Sequence, residues 1–289
     1  MKRTRGEIIF SWFNGFFLGL LMLLCLLPFL NIFAESLSNG LAVAQGKVSF
    51  IPIGFNTKAY QYVMTNPQFV RSFTNTVIIT VTRTIISMIV TILTGFVFTR
   101  TEMPFHKLYV GLFIFTMFFS GGIVPTYLHY SNFHLLDTLW VLILPNVVNV
   151  FHLVLMRNAF LGVPISLEES ARLDGASDVQ ILWHVYVPLS YATIATLTLF
   201  FAVLSWNAYF GALMYTSKRS LMPLQLYLRN MLTDTRNEVQ DTNPELLREL
   251  SDGSITSATI MTATLPILLV YPFIQRYFVT GVTLGAVKE

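Results

Sequence analysis

The chain is poor in charge, poor in cysteine and empty of the common catalytic patterns. Asp, Glu, Lys and Arg make up 11% of its 289 residues, where soluble domains carry about 25%. So little charge cannot hold a globular surface in water. Hydrophobic residues reach 54%, and the mean hydropathy is +0.63. This is the composition of an integral membrane protein. The net charge of +3 is small, and the basic residues are scattered or sit near the ends of apolar runs. That distribution argues against nucleic acid as a partner. The single cysteine, Cys25, lies within an apolar run, can form no internal disulfide and reads as apolar filler.

Nucleotide, metal and nucleophile signatures are also missing. No G-x-x-x-x-G-K-[ST] occurs, and the C-terminal GVTLGAVKE has the wrong spacing for one. There is no H-E-x-x-H, and the five histidines never fall at metal-ligand spacing. No Ser, His and Asp cluster is visible. Acidic residues are nearly absent from the interiors of the apolar segments, whereas ion-coupled carriers keep Asp or Glu inside the bundle. The energy source is therefore expected on another subunit.

What is present is a set of long apolar runs. A bilayer core of about 30 Å needs roughly 20 apolar residues as helix. Six segments qualify: 8–33, 72–98, 108–130, 138–160, 190–212 and 258–279. They define one all-α transmembrane domain over 1–289. The first run is too long for a signal-peptide core of roughly 7–15 residues, so it is read as an uncleaved span. Lys2, Arg3 and Arg5 place the N-terminus in the cytoplasm, and Arg100 and Lys107 agree with the resulting parity. The C-terminus is then cytoplasmic too. Two outer loops have content of their own. Residues 56–65 read as a short helix with Asn56 as a possible N-cap, and 213–257 should hold a helix around Pro244–Leu250.

One loop interrupts this pattern with charge: 161–189, where EESARLDGASDVQILWHVYVPLS runs from Glu168 to Ser190 at the start of the next apolar run. Ser166 and Glu169 have capping-box spacing, as do Ser177 and Gln180. Gly175 between them suits the left-handed position that ends a helix. The pattern predicts helix, glycine corner, helix, on the cytoplasmic side. Ser170 and Ala171 are small enough to admit a partner closely, which favours a docking element over a passive interfacial linker.

E-S-A-x-x-D-G-A, Glu169 to Ala176, followed by Val187-Pro188-Leu189, resembles the EAA loop of the permease subunits of ABC importers. Ser170 stands where that family usually has alanine. FSGGIVPTYL (119–128), DTLWVLILP (137–145), ATIATLTLFFAVLSWNAYFGAL (192–213), PLQ (223–225) and QRYFVTGVTLGAVKE (275–289) resemble carbohydrate-uptake permeases of the maltose type. Among these they are most similar to the branch importing complex oligosaccharides, including uronate-containing ones. Glu289 stands where that branch commonly ends in glycine.

The resemblance implies a type I ABC importer permease fold with six spans and a cytoplasmic coupling helix. It implies that Glu169 makes a charged contact with an ATPase, that Ser170 and Ala171 pack closely, that Asp174 braces the loop, and that Gly175 forms the corner. The implied partners are a second homologous permease subunit, two ATPase subunits carrying ATP and Mg, and an extracytoplasmic solute-binding protein. The tail 280–289 would also reach the ATPases, and 213–257 would probe the binding protein. The chain itself would bind no cofactor and would not be an enzyme. Its place would be the bacterial plasma (inner) membrane.

Several polar residues inside the apolar runs are candidates for the substrate path. Arg83 lies mid-span, where exposure to lipid costs about 2.5–3.5 kcal/mol even on insertion scales. It must face the path or a partner, binding either carbonyls, a partner acid or an anionic sugar. Trp206, Asn207 and Tyr209 combine aromatic faces with an amide, as sugar sites do. Asn146, Asn149 and His152 add polarity to the fourth run, and Asn149 and His152 share a face. For all of these an interhelical hydrogen bond is the competing reading. Tyr127 is a lesser candidate, beside Gly121, Gly122 and Pro125, which permit close packing or a break. Two other functions fit the apolar composition: a stand-alone secondary carrier or channel, and a membrane-embedded enzyme acting on lipid-linked sugars.

Overall fold

A computed structural model describes residues 4–233 and 250–286. Its described residues are helical or irregular, with no strand among them. They fall into two compact units. One comprises the described residues of Met1–Val70 and Leu228–Pro266, the other those of Arg71–Tyr227 and Ile267–Glu289.

In the first unit, α1 (Arg5–Ser36) is apolar on every side, as a helix in lipid should be. Trp12, Phe10 and Met22 are all exposed. Its start is a capping box, with Thr4 Oγ1 accepting from Glu7 N and Glu7 Oε2 accepting from Thr4 N. Two short helices follow, α2 (Gly40–Ala44) and α3 (Lys58–Thr65). Asn56 does not cap α3 as its N-cap, which is Thr57. Instead its Oδ1 accepts from Lys58 N at 3.2 Å, one residue further out. Side chains hold the connection against α1. Asn31 Nδ2 donates to Ser49 O at 2.7 Å, and the Ser36 and Tyr60 hydroxyls lie 2.8 Å apart. Ser257 Oγ donates to Glu35 Oε2 at 2.8 Å.

The second unit is built on α4 (Pro67–Val97), which enters it at Arg71. There follow α5 (His106–Phe118), α6 (Ile123–Asn132), α7 (Trp140–Ile143) and α8 (Val150–Leu161). The polar loop supplies α9 (Ile165–Leu173) and α10 (Asp178–Ile181). A π-turn over Leu182–Tyr186 leads into α11 (Val187–Leu189), where Pro188 lacks the N–H that a regular ladder needs. Then come α12 (Tyr191–Trp206), α13 (Phe210–Tyr215) and α14 (Leu224–Thr233). The last helix is α15 (Asp252–Ala286).

Only α1 and α4 pass as uninterrupted spans among the described residues. The apolar run at 108–130 is not one straight helix. Gly122 at φ +83° breaks it, and α5 and α6 diverge by 114°. The run at 138–160 breaks between α7 and α8, at Pro145 and at Asn146 with φ +61°. The run at 190–212 breaks at Asn207–Tyr209. The helix expected around Pro244–Leu250 falls, apart from Leu250, outside the described residues. So do Lys2, Arg3 and Glu289.

The core of this unit gathers Met88, Ile92 and Phe96 of α4, Met156 and Phe160 of α8, Ile181, Leu182 and Tyr186 of the loop, and Leu197 and Phe201 of α12. Gly95 lets α4 approach α8 closely, since a Cβ there would sit 2.8 Å from Met156 Cγ. Met156 is fully buried and cannot swing away. Gly95→Leu is therefore expected to overpack this contact at a cost of about 1–3 kcal/mol, read as a lower thermal unfolding midpoint of the purified protein in detergent.

Candidate functional site

The polar loop has the expected form. Ser177 Oγ accepts from Gln180 N while Gln180 Oε1 accepts from Ser177 N, completing the second capping box. Gly175 has φ +82°. Gly175 N donates to Arg172 O and Ala176 N to Ala171 O, the paired bonds of a Schellman motif. The first capping box is absent. Helix α9 starts one residue before Ser166, its N-cap is Pro164, and no side chain caps it. Proline pre-set for the helix entry moves the boundary, which leaves Ser166 already inside.

The acid that the fold buries is Glu168, not Glu169. Glu168 is 3% exposed, while Glu169 and Ser170 are exposed and Ala171 is half-buried. Arg100, three residues beyond α4, donates from Nη1 to Glu168 Oε1 at 2.5 Å. Arg172 donates from Nε to the same oxygen at 2.9 Å and from Nη2 to Asp178 Oδ1 at 2.6 Å. The Tyr186 hydroxyl donates to Glu168 Oε2 at 2.5 Å. The Arg100 guanidinium lies 4.3 Å from the Phe96 ring centroid, and Tyr186 packs edge-on against Phe96 and Phe160. Burial pushes the Glu168 carboxyl upward, but hydrogen bonds from Tyr186, Arg100 and Arg172 outweigh it and hold the group below the usual carboxylate range. Burial, then the bond to Glu168, pushes Tyr186 up to about 12. Sequence reading passed over Glu168. The one local signal was its i, i+4 spacing to Arg172.

The second feature is a cavity of about 560 Å³ within the same unit, a size suited to a small ligand. It lies where the helices break. Arg83, Thr76 and Ile79 of α4 line it, with Tyr130 of α6, Asn146 and Asn149 before α8, and Asn207 and Tyr209 after α12. Arg83 is 9% exposed, its Nε has no hydrogen-bond partner, and no carboxylate pairs with it among the described residues. Asn149 also caps α8, accepting from His152 N at 3.1 Å. Asn207 Nδ2 donates to Val203 O at 2.9 Å. His152 and Trp206 are not lining residues. His152 is buried between Phe200 and Phe201, and Trp206 packs edge-on against Phe73. Tyr127 lies outside the lining too, near Tyr215.

A helical membrane protein with broken spans around a polar cavity, and a shaped polar loop at one end, has the design of a transport subunit. The chain belongs to the family of binding-protein-dependent transport system inner membrane components, whose pattern it matches over residues 8–284. It is 38% identical to protein LplC of Bacillus subtilis over all of this chain and 98% of that one. It is 37% identical to the polygalacturonan/rhamnogalacturonan transport system permease protein YtcP of Bacillus subtilis, over 94% of this chain and 96% of that one. Among solved structures it is similar to a chain of a bacterial ABC transporter involved in the import of the acidic polysaccharide alginate. That match has TM-score 0.88 and 34% identity, over 96% of this chain and 99% of the other. The fold is the type I ABC permease fold, and the chain is a permease of the sugar-importing ABC class.

The Tyr186–Glu168 bond makes a prediction at this point. Tyr186→Phe should cost about 1.5–3 kcal/mol at pH 7, the range for a hydrogen bond to a charged group. Because Glu168 titrates below its ordinary value in the folded chain, this contribution is complete above the ordinary carboxylate pKa of about 4.3. It is lost as the pH falls through the lower folded value. Thermal unfolding of wild type and variant should therefore differ at neutral pH and converge in acid.

Proposed function

We propose that this chain is one of two homologous permease subunits in an importer that carries an acidic oligosaccharide across the bacterial plasma membrane by alternating access. The observation that carries the acidic reading is Arg83, a buried cation with an unpartnered Nε on the wall of a cavity whose lining mixes amides, hydroxyls and aromatic rings with aliphatic side chains. A buried charge is stabilised only by a counter-charge or by hydrogen bonds. A uronate carboxylate supplies both, and a guanidinium can bind it in bidentate fashion. Asn149, Asn207 and Tyr209 then hold sugar hydroxyls and faces, while His152 and Trp206 support the wall from behind. Two of the similar proteins support this reading by name, one for polygalacturonan/rhamnogalacturonan and one for the acidic polysaccharide alginate.

The remaining parts follow from this reading. The six spans are α1, α4, α5 with α6, α7 with α8, α12 with α13, and α15, and both termini are cytoplasmic. Helix α9 is the coupling helix. Glu169, Ser170 and the 89% exposed Leu173 face an ATPase subunit. Ala171 gives close approach, Asp174 ends the helix, and Gly175 turns the corner. Two such ATPase subunits bind ATP and Mg and hydrolyse the nucleotide, and an external solute-binding protein delivers the sugar. A solved complex of the alginate importer with its pentasaccharide-bound periplasmic protein shares the fold at TM-score 0.59.

Uptake in reconstituted vesicles should need the binding protein and ATP. Arg83→Gln should lower uptake of uronate oligosaccharides at least tenfold, about 1.4 kcal/mol, with neutral oligosaccharides affected far less. Equal uptake of acidic sugar by wild type and R83Q would remove Arg83 from the site. Uptake without any ATPase subunit would overturn the importer reading.

A further inference from the structure

Glu168 does more than close the polar loop on itself. Its three donors come from three places in the chain. Arg172 is on α9, Arg100 follows α4, and Tyr186 ends the π-turn that leads into α11, which meets α12 at a bend of 84°. Helix α4 carries Arg83, Thr76 and Ile79 into the cavity wall, and α12 carries Phe201, Leu204 and Ser205 there. One carboxylate thus joins the exposed helix of the loop to the end of α4 and to the turn that precedes α11 and α12. Phe96 and Phe160 shield the junction, and hydrogen bonds in such a setting are stronger than in water. Arg157 adds a second brace, with Nε donating to Phe98 O at 2.8 Å. From Val97 back to Arg83, α4 is continuous, a rigid lever of about 21 Å at 1.5 Å per residue.

We propose that Glu168 is the positioning residue that transmits force from α9 to the cavity. Gripped by Arg100, Arg172 and Tyr186, its carboxylate makes α9, the adjoining end of α4 and the π-turn before α11 move as one body. A push on the exposed face of α9 then reaches Arg83 instead of being lost in a hinge. Glu169, next in sequence, points outward and serves the partner, while Glu168 points inward and serves the lever. This rests on the reading of α9 as the ATPase-docking helix.

The test uses the full reconstituted complex, with both permease subunits, the ATPase subunits and the loaded binding protein. Three readouts are taken: recovery of ATPase subunits with the permease, stimulation of ATP hydrolysis by the loaded binding protein, and uptake per ATP hydrolysed. Glu168→Gln and Arg100→Ala are expected to recover the ATPase subunits in full. Their basal hydrolysis should stay within twofold of wild type, and their uptake per ATP should fall at least tenfold. Arg100→Lys, which keeps a cation near the carboxylate, should restore at least a third of the coupled uptake. Uptake per ATP within twofold of wild type for E168Q and R100A would overturn the proposal. So would loss of ATPase subunits from E168Q, which would make Glu168 part of the docking surface. Should the E168Q permease itself fail to fold in detergent, Tyr186→Phe removes a single oxygen from the cluster and carries the same test, with an expected threefold fall in coupling. The docking reading is checked apart from this by Leu173→Asp, which should release the ATPase subunits. Their full retention would overturn that reading without touching the E168Q result.

Discussion

Glu168 accepts hydrogen bonds from Arg100, Arg172 and Tyr186, and much of the surrounding chain is arranged so that all three can reach it. Removing a carboxylate from water costs several kcal/mol even after relaxation. The cost is offset only if the oxygens are fully engaged, as they are here. Two arginines share Oε1 and a phenol takes Oε2. The partners have to be fixed in turn. Arg100 lies over Phe96, and Tyr186 is wedged between Phe96 and Phe160. The Schellman turn at Gly175 and the capping box at Ser177 return the chain so that Asp178 meets Arg172. Local turn chemistry, aromatic packing and ion pairing therefore serve one arrangement.

A second constraint shapes the other end of the unit. Backbone N–H and C=O groups in a bilayer must find partners, so helices break only where protein or an aqueous cavity surrounds the break. The interruptions at Pro145–Asn149 and Asn207–Tyr209 satisfy this rule. Asn149 caps the helix that follows its break, and Asn207 returns to the helix that precedes its own. The same asparagines line the cavity. The side chains that repair the backbone thus give the cavity its polarity, and one residue type answers two needs.

This division explains what the sequence made legible. Ser177, Gln180 and Gly175 act on residues a few positions away, so their pattern alone predicts the corner. Arg83 stands out because charge in an apolar run has no innocent position. The apolar runs located the helices but not their breaks at 144–149 and 207–209, because a straight and a broken span share one hydropathy. Ser166 was misplaced by the competing start at Pro164. The choice between Glu168 and Glu169 was out of reach. It depends on the phase of a two-turn helix and on Arg100 and Tyr186, which lie 68 and 18 residues away. Trp206 and Asn207 differ in the same way. Adjacent positions at a helix end point in different directions, one into Phe73 and the other into the cavity.

Helix α4 and its immediate extension bear two arginines in different settings, Arg83 buried and Arg100 partly buried. Arg100 is paired within the chain: the Glu168 carboxylate accepts a hydrogen bond from its Nη1 and the Phe96 ring lies beneath it, although its Nη2 has no partner. Arg83 is left without a described counter-charge on the wall of an open cavity, beside Thr80, Thr84 and Ser87, whose buried hydroxyls also lack partners. An unpaired buried cation is destabilising, so its retention needs a compensating use. The neighbouring breaks put amides and phenols around the same space, which is the chemistry a carboxylated sugar requires. The arginine paired within the chain ties the polar loop to the end of α4, and the arginine without a described counter-charge stands on the cavity wall.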